Sequence, residues 1–449
     1  MTTHERLETE DVNKLLFSLS IPAFIAMMAN GIYNIIDTIL IGRGVGTLAI
    51  GAIAIGFPIQ ALYIAFSQLV AIGTAQAISR EIGHHNTDKA SHIATNAYTL
   101  TLLISLALTA LSLIFLDELL LLFGATDDII DYARQYIAII AIGITFNATS
   151  LLTNAILRAQ SYTLLTTYSV LIGILTSLCL SPLFVLVFGW GIKGAAIGTV
   201  CSQLASCLFG IFFIIKRHIG IPLKVNYLMP NITILKQITT VGLSAFARNS
   251  STSLCALIIN NILKVHGGSF TILTFGIVNR LVSFFFLPVL GVTQALQPIA
   301  GYNFGAKHYS RILKVLRFGT IYATLLCCFG TAISFLFPSQ LLSLFTNDQE
   351  VVTAGVDILK LKTVFFGLVG VQMVTATLFQ SLGKAIPSLF LSLLRQFILL
   401  LPLVLLLTHF TDLGSLGVFI AFPISEVLSF IITLGMLLHQ VKQLMKLAN

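Results

Sequence analysis

Apolar residues run in blocks of twenty or more along the whole chain, and short segments of glycine, proline or polar side chains close each block. A helix of about twenty apolar residues spans a hydrocarbon core about 30 Å thick. The pattern predicts helices at 14–41, 48–79, 92–116, 132–158, 163–188, 194–216, 235–264, 270–302, 312–337, 352–382, 386–408 and 416–440. The expectation is an all-α polytopic membrane protein with twelve spans. The opening stretch "MTTHERLETEDVNK" is polar. The run after it is too long for a leader's core and has no small-residue cleavage site before Asp37, so a retained first helix is expected.

Composition agrees: 57% of residues are hydrophobic and 9% charged, against roughly 25% charged in soluble domains. The net charge of +8 does not indicate nucleic acid, because Lys and Arg are scattered through short loops rather than gathered on one polar face. Alternating the loops between two sides puts Arg6, Lys14, Arg80, Lys89, Arg158, Lys216, Arg217, Lys224, Lys236, Lys307, Arg311, Lys314, Arg317, Lys384, Lys442 and Lys446 on one side. Asp117, Glu118, Asp127, Asp128, Asp131, Asp348, Glu350 and Asp412 fall on the other. The positive-inside rule then places both termini in the cytoplasm. All six cysteines lie inside apolar runs with no metal-ligand spacing, which argues against disulfide and zinc chemistry.

The chain repeats itself at an offset of 222 residues. "FLDELLLLFGATDDI" at Phe115 lies over "FPSQLLSLFTNDQEV" at Phe337, and "REIGHHNTDKA" at Arg80 over "YNFGAKHYSRI" at Tyr302. After one residue is gained near Phe410, "GIKGAAIGTVCSQ" lies over "GSLGVFIAFPISE". Six helices per repeat give two halves of like orientation related by an axis along the membrane normal. The expected lobes are 1–219 and 235–449, joined by a cytoplasmic linker at 220–234.

Polar residues without a mate mark where the halves diverged. Asp37 falls over Ile259, and Asn30, Tyr33, Asn34 and Asp37 share one helical face. A carboxylate at this depth costs about 2.5–3.5 kcal/mol and is tolerated when it pairs, faces a cavity or takes a proton. A coupling role is the first reading; a structural carboxylate satisfied by hydrogen bonds is the alternative. Pro22, earlier in the same helix, removes a backbone hydrogen bond and permits a kink that either moves Asp37's end or only improves packing.

The second half differs in kind. Arg248, Arg280 and Arg395 fall over Ala26, Pro58 and Gly173, and Glu426 over Gln203. Depth suggests a structural ion pair of Glu426 with Arg280, with Arg395 as the competing partner.

The stretches "IYNIIDTILIG", "SPLFVLVFGWGIKGAAIGT", "LQPIAGYNFGAKHYSRI" and "RQFILLLPLVLLL" resemble the multidrug and toxic compound extrusion (MATE) family over essentially the whole chain. The resemblance implies two V-shaped lobes and export of amphipathic or cationic compounds in exchange for H⁺ or Na⁺, in the inner membrane of a bacterium. For members of the prokaryotic DinF-like type it places the coupling site in the first lobe. Carried onto matching positions, that site is Asp37 with Asn30 and Tyr33, Asn154 on the fourth helix and Thr199 on the sixth, with Pro22 at the family's kink. If Na⁺ is the ion, Asp37 and Thr199 are the positions that would hold it.

The chain departs from many relatives by carrying Ser177 and Ser181 where they have Asn and Asp. Hydroxyls coordinate or hydrogen-bond but add no second negative charge, which favours single-proton exchange over Na⁺. A flippase for a lipid-linked saccharide or related lipid is the alternative function, kept open by Arg248, Arg280 and Arg395 as phosphate partners. A third class, a non-transporting receptor or scaffold, predicts no turnover. No catalytic triad, phosphate-binding glycine loop or nucleotidase motif is present, so the expectation is a transporter rather than an enzyme, with no cofactor besides the coupling ion. Two lobes would complete a site within one chain, so a monomer is expected.

Overall fold

The structure is a computed structural model that describes residues 3–448 apart from 124, 126, 216–220, 347 and 412. Lys216, Arg217, Asp412 and the first position of the expected linker lie outside the described residues, and so does the 219/220 boundary. Every regular element among the described residues is a helix.

The first six spans are α1 (Val12–Gly44), α2 (Thr47–Gly83), α3 (Thr87–Ile114), α4 (Asp127–Ala159), α5 (Thr163–Pro182) and α6 (Gly191–Ile215). One helical run, Ile232–Gly305, is broken at Gly268, whose φ of 67° suits glycine, and so forms α7 (232–267) and α8 (Phe270–Gly305). Then come α9 (Tyr309–Leu336), the bent pair Gln349–Thr363 and Phe366–Ser381 as α10, α11 (Ala385–His409) and α12 (Ser415–Ala448). Ten of these are single helices long and apolar enough to cross a membrane, and the two arms of α10, bent by 46°, qualify together. The twelfth, α7, is diluted by the polar run Arg248-Asn249-Ser250-Ser251-Thr252-Ser253.

Packing divides the chain into two units: Met1–Glu8 with Ile25–Phe246, and Thr9–Phe24 with Ala247–Asn449. The unit boundaries therefore cut α1 and α7 part-way, rather than falling in the loops that bound the lobes of the sequence repeat.

In the first unit the core is built on α2, α4 and α6, with Ile59, Tyr63, Tyr136, Ile137, Ile140, Ile144, Ala195 and Ala196 buried together. Lipid is as apolar as leucine, so small residues and hydrogen bonds must hold membrane helices together. Gly73 and Gly242 illustrate the first device: a Cβ would stand 2.0 Å from the Ile238 carbonyl oxygen at one and 1.8 Å from that of Leu69 at the other. Tyr98 and Thr153 illustrate the second, with hydroxyls 2.7 Å apart.

The segment Lys224–Asn231 is laid along the start of α3. Lys224 Nζ lies 2.6 Å from Asp88 Oδ1, and the Tyr227 hydroxyl donates to the same carboxylate at 2.8 Å. The Tyr227 ring stacks on His92 with centroids 4.3 Å apart. Asn96 donates to the Tyr227 carbonyl at 2.8 Å and accepts from the Asn231 amide at 2.7 Å. In the second unit Gly370 lets α10 meet the backbone of α9, where a Cβ would come within 2.7 Å of Ala323 C.

Candidate functional site

The motif "SPLFVLVFGWGIKGAAIGT" folds as a tight α5–α6 hairpin. After Pro182 the helix widens to a π-helical turn at Leu183–Val187. Gly189 and Gly191 then take positive φ values of 66° and 56°, and Trp190 folds back to stack on Phe184 at 5.1 Å between centroids. The returning α6 packs close: a Cβ on Gly198 would lie 2.3 Å from Ser181 Oγ. This contact fixes Ser177 and Ser181, one turn apart and both buried, beside Thr199. Their hydroxyls are 3.1 Å apart.

α1 supplies the other side. Tyr33 Oη lies 2.8 Å from Ser177 Oγ, and Thr199 is also within hydrogen-bonding range of it. Asp37, one turn further along α1, is half-buried, and its Oδ1 is fully enclosed without a hydrogen-bond partner. Asn30 and Asn34 share the stripe but are exposed, and bond to each other, Asn34 Nδ2 to Asn30 Oδ1 at 3.1 Å.

The structure thus brings together Tyr33, Asp37, Ser177, Ser181 and Thr199. Asn154 is buried on α4 with its Oδ1 unpartnered, and no hydrogen bond joins it to the Asp37 group. Pro22 is buried in a continuous helix and belongs to the second unit.

Sequence reasoning missed two residues of the first unit. Tyr136 of α4 is buried within electrostatic reach of Asp37 and Tyr33, and it bonds to Gln60 of α2. Gln60 in turn lines a small cavity of about 40 Å³ in which Ser67, Asn147 and Gln203 face Tyr63, Ile64, Ile140 and Ile144, room for a few waters. Neither residue has a charge or a motif, so only tertiary packing reveals them.

In the second unit one expectation is corrected. Glu426 lies 3.8 Å from Arg395 Nη1, whereas Arg280 is exposed. Depth along a helix does not fix azimuth, and α11, π-helical over Leu394–Leu400, turns Arg395 toward α12. Lys362, beside the bend of α10, is a buried cation that sequence reasoning passed over although it lies inside the predicted span 352–382.

Twelve spans among the described residues, ten of them single apolar helices, define a multi-pass membrane protein. The MatE family model matches residues 22–183 and again 245–406, once in each half. The chain belongs to that family. Multidrug export protein MepA of Staphylococcus aureus strain MSSA476 is 24% identical over 381 residues, covering 84% of this chain and 83% of the relative. MepA of Staphylococcus haemolyticus strain JCSC1435 is 22% identical over 377 residues, with the same coverage. A crystal structure of MATE in complex with MaL6 aligns with a TM-score of 0.94 at 25% identity, covering 99% of this chain and 100% of that one. An outward-facing multidrug resistance MATE family transporter of the MOP superfamily aligns with a TM-score of 0.92 at 25% identity, covering 98% of each chain.

Proposed function

We propose that this protein exports amphipathic or cationic compounds across a bacterial inner membrane, with both termini in the cytoplasm, in exchange for protons carried on Asp37. The observation behind this reading is the enclosed Oδ1 of Asp37, which has no hydrogen-bond partner and no ion-pair partner among the described residues and lies within electrostatic reach of the Tyr33 hydroxyl. A buried carboxylate oxygen that lacks a partner is costly unless something binds it during the cycle. One proton meets that need with the groups present. Na⁺ would draw further oxygens from Thr199, Ser177 and Ser181, a neutral set that binds a cation weakly beside a single charge.

The relatives named for multidrug export support the drug-efflux half of this reading. Tyr136, bonded to Gln60, puts a hydrogen-bonding group within electrostatic reach of Asp37, and Gln60 lines the small cavity beside it.

The test is transport of ethidium by the protein in proteoliposomes under an imposed pH gradient or an imposed Na⁺ gradient, comparing wild type with Asp37→Asn. The expected result is transport driven by the pH gradient in the wild type and at least about a tenfold loss in the variant, with ethidium still bound at equilibrium. Undiminished proton-driven transport by Asp37→Asn would remove Asp37 from the mechanism. Dependence on Na⁺ alone would replace the proton.

A further inference from the structure

The second unit contains a cluster of charges that the Asp37 mechanism does not use. Arg395 sits in the π-helical turn Leu394–Leu400 of α11, a distortion that recurs at functional sites. Its Nη1 is 3.8 Å from Glu426 Oε1, beyond direct hydrogen-bonding range, and its guanidinium lies over the Phe286 ring, 5.4 Å from the centroid. Lys362 Nζ donates to Asn279 Oδ1 at 2.6 Å and stands 4.5 Å from the ring centres of both Phe275 and Phe422. It is within electrostatic range of Glu426, whose Oε2 has no hydrogen-bond partner. Arg248 of α7 faces Arg395, and among the described residues no acid pairs with it.

Two cations, Arg395 and Lys362, therefore act on one carboxylate and a third, Arg248, stands against Arg395, so the charges of the cluster are not balanced among the described residues. Buried charges persist where they are balanced and their N–H groups are bonded. This group lacks an anion. A guanidinium fork matches the two oxygens of a carboxylate or phosphate, which it binds in bidentate fashion. Lys362 and Glu426 are closed off, while the Arg395 side chain keeps 26% of its exposure and Arg248 is half-buried. An incoming group can reach the two arginines and not the lysine. Phe286, under the Arg395 plane, gives an amphiphile an apolar surface beside the charge.

We propose that the second unit binds the carboxylate or phosphate group of an amphipathic molecule between Arg395 and Arg248. Glu426 is the internal anion that holds Arg395 when the site is empty, and Lys362 takes over Glu426 when Arg395 turns to the ligand. The site is independent of proton exchange at Asp37.

The experiment is fluorescence anisotropy of carboxyfluorescein with the full-length protein in nanodiscs, where no ion gradient exists. The wild type should bind the dye, and Arg395→Gln and Arg248→Gln should each weaken binding by at least about tenfold, since each strips one partner from a charged contact. Arg395→Lys should recover only part of it, because an ammonium is not a fork. Glu426→Gln should tighten binding several-fold by removing the competing carboxylate, and this opposite sign keeps the proposal testable where an arginine variant fails to fold. Asp37→Asn should bind the dye as the wild type does, which separates this site from the coupling site.

Displacement by dioctanoyl phosphatidic acid at lower concentration than by inorganic phosphate assigns the site to a lipid headgroup, and the reverse order assigns it to a free solute. Dye binding indifferent to both arginines, or weakened by Glu426→Gln, would overturn the proposal.

Discussion

Phe24 and Phe246 stand 222 positions apart, the offset of the internal repeat, and each is the residue after which the chain passes from one packing unit to the other. The repeat was read from loop motifs near residues 80, 115 and 191, none of them on α1 or α7. Packing reproduces the offset at a fourth place. Two helices of common descent each make their first contacts with the unit that does not hold the rest of their own repeat.

The bond between Tyr33 and Ser177 joins α1 to α5 at the candidate site, so its removal should loosen Asp37 without unfolding the unit. Tyr33→Phe and Ser177→Ala are each expected to lower proton-driven ethidium transport several-fold. The double variant should lose less than the sum of the two, because both delete the shared hydrogen bond of about 1 kcal/mol, while Tyr33 also reaches Thr199 and Ser177 also meets Ser181. A transport-based double-mutant cycle at equal protein density in proteoliposomes checks this.

Gly198 is needed for its size. A methyl group there would meet Ser181 Oγ at 2.3 Å and Ser181 Cα at 3.0 Å. Gly198→Ala should destabilise the protein by about 1–3 kcal/mol, the usual range for overpacking, and thermal unfolding in detergent measures it. Adding Ser181→Ala should restore only part of the loss, since the backbone contact remains.

Gln60 bonds to Tyr136 and lines the small cavity that Ser67, Asn147 and Gln203 share with three isoleucines. Gln60→Leu keeps the volume but removes both hydrogen-bonding ends, so water should leave and proton-driven transport should slow several-fold. Equilibrium ethidium binding should hold. Transport rates across a series of imposed pH gradients separate a slowed proton step from a weakened drug site.

The ion pair of Lys224 with Asp88 is solvent-exposed, so its strength depends on salt. Limited proteolysis of 221–231 should speed up in Asp88→Ala, and in the wild type at 1 M salt. Its hydrogen bond to Asp88 holds the Lys224 ammonium above the ordinary lysine value of 10.5. A group raised in this way keeps its contribution below the unfolded value and loses it as pH rises through the folded one. Protection should therefore persist through neutral pH and fade only above about 10.5.

The membrane fold was legible in the sequence because apolar runs of twenty residues have one common outcome in lipid: a helix that satisfies its own backbone. The repeat was legible because a shared offset survives divergence of single residues. Asp37 stood out because an acid within an apolar run has few innocent explanations, and Tyr33 lay one turn away on the same helical face.

What the sequence could not decide was azimuth and distance between helices. It ranked Arg280 beside Glu426 by depth, whereas a π-helical turn in α11 points Arg395 there instead. It gave no sign of Tyr136 or Gln60, because ordinary core residues have no local signature, and Lys362 was passed over inside the predicted span 352–382. Hydrophobic pattern sets which segments become helices, since that depends on each segment's own contact with lipid. Which side chains then meet depends on close packing between segments far apart in sequence, and only the tertiary structure decides that.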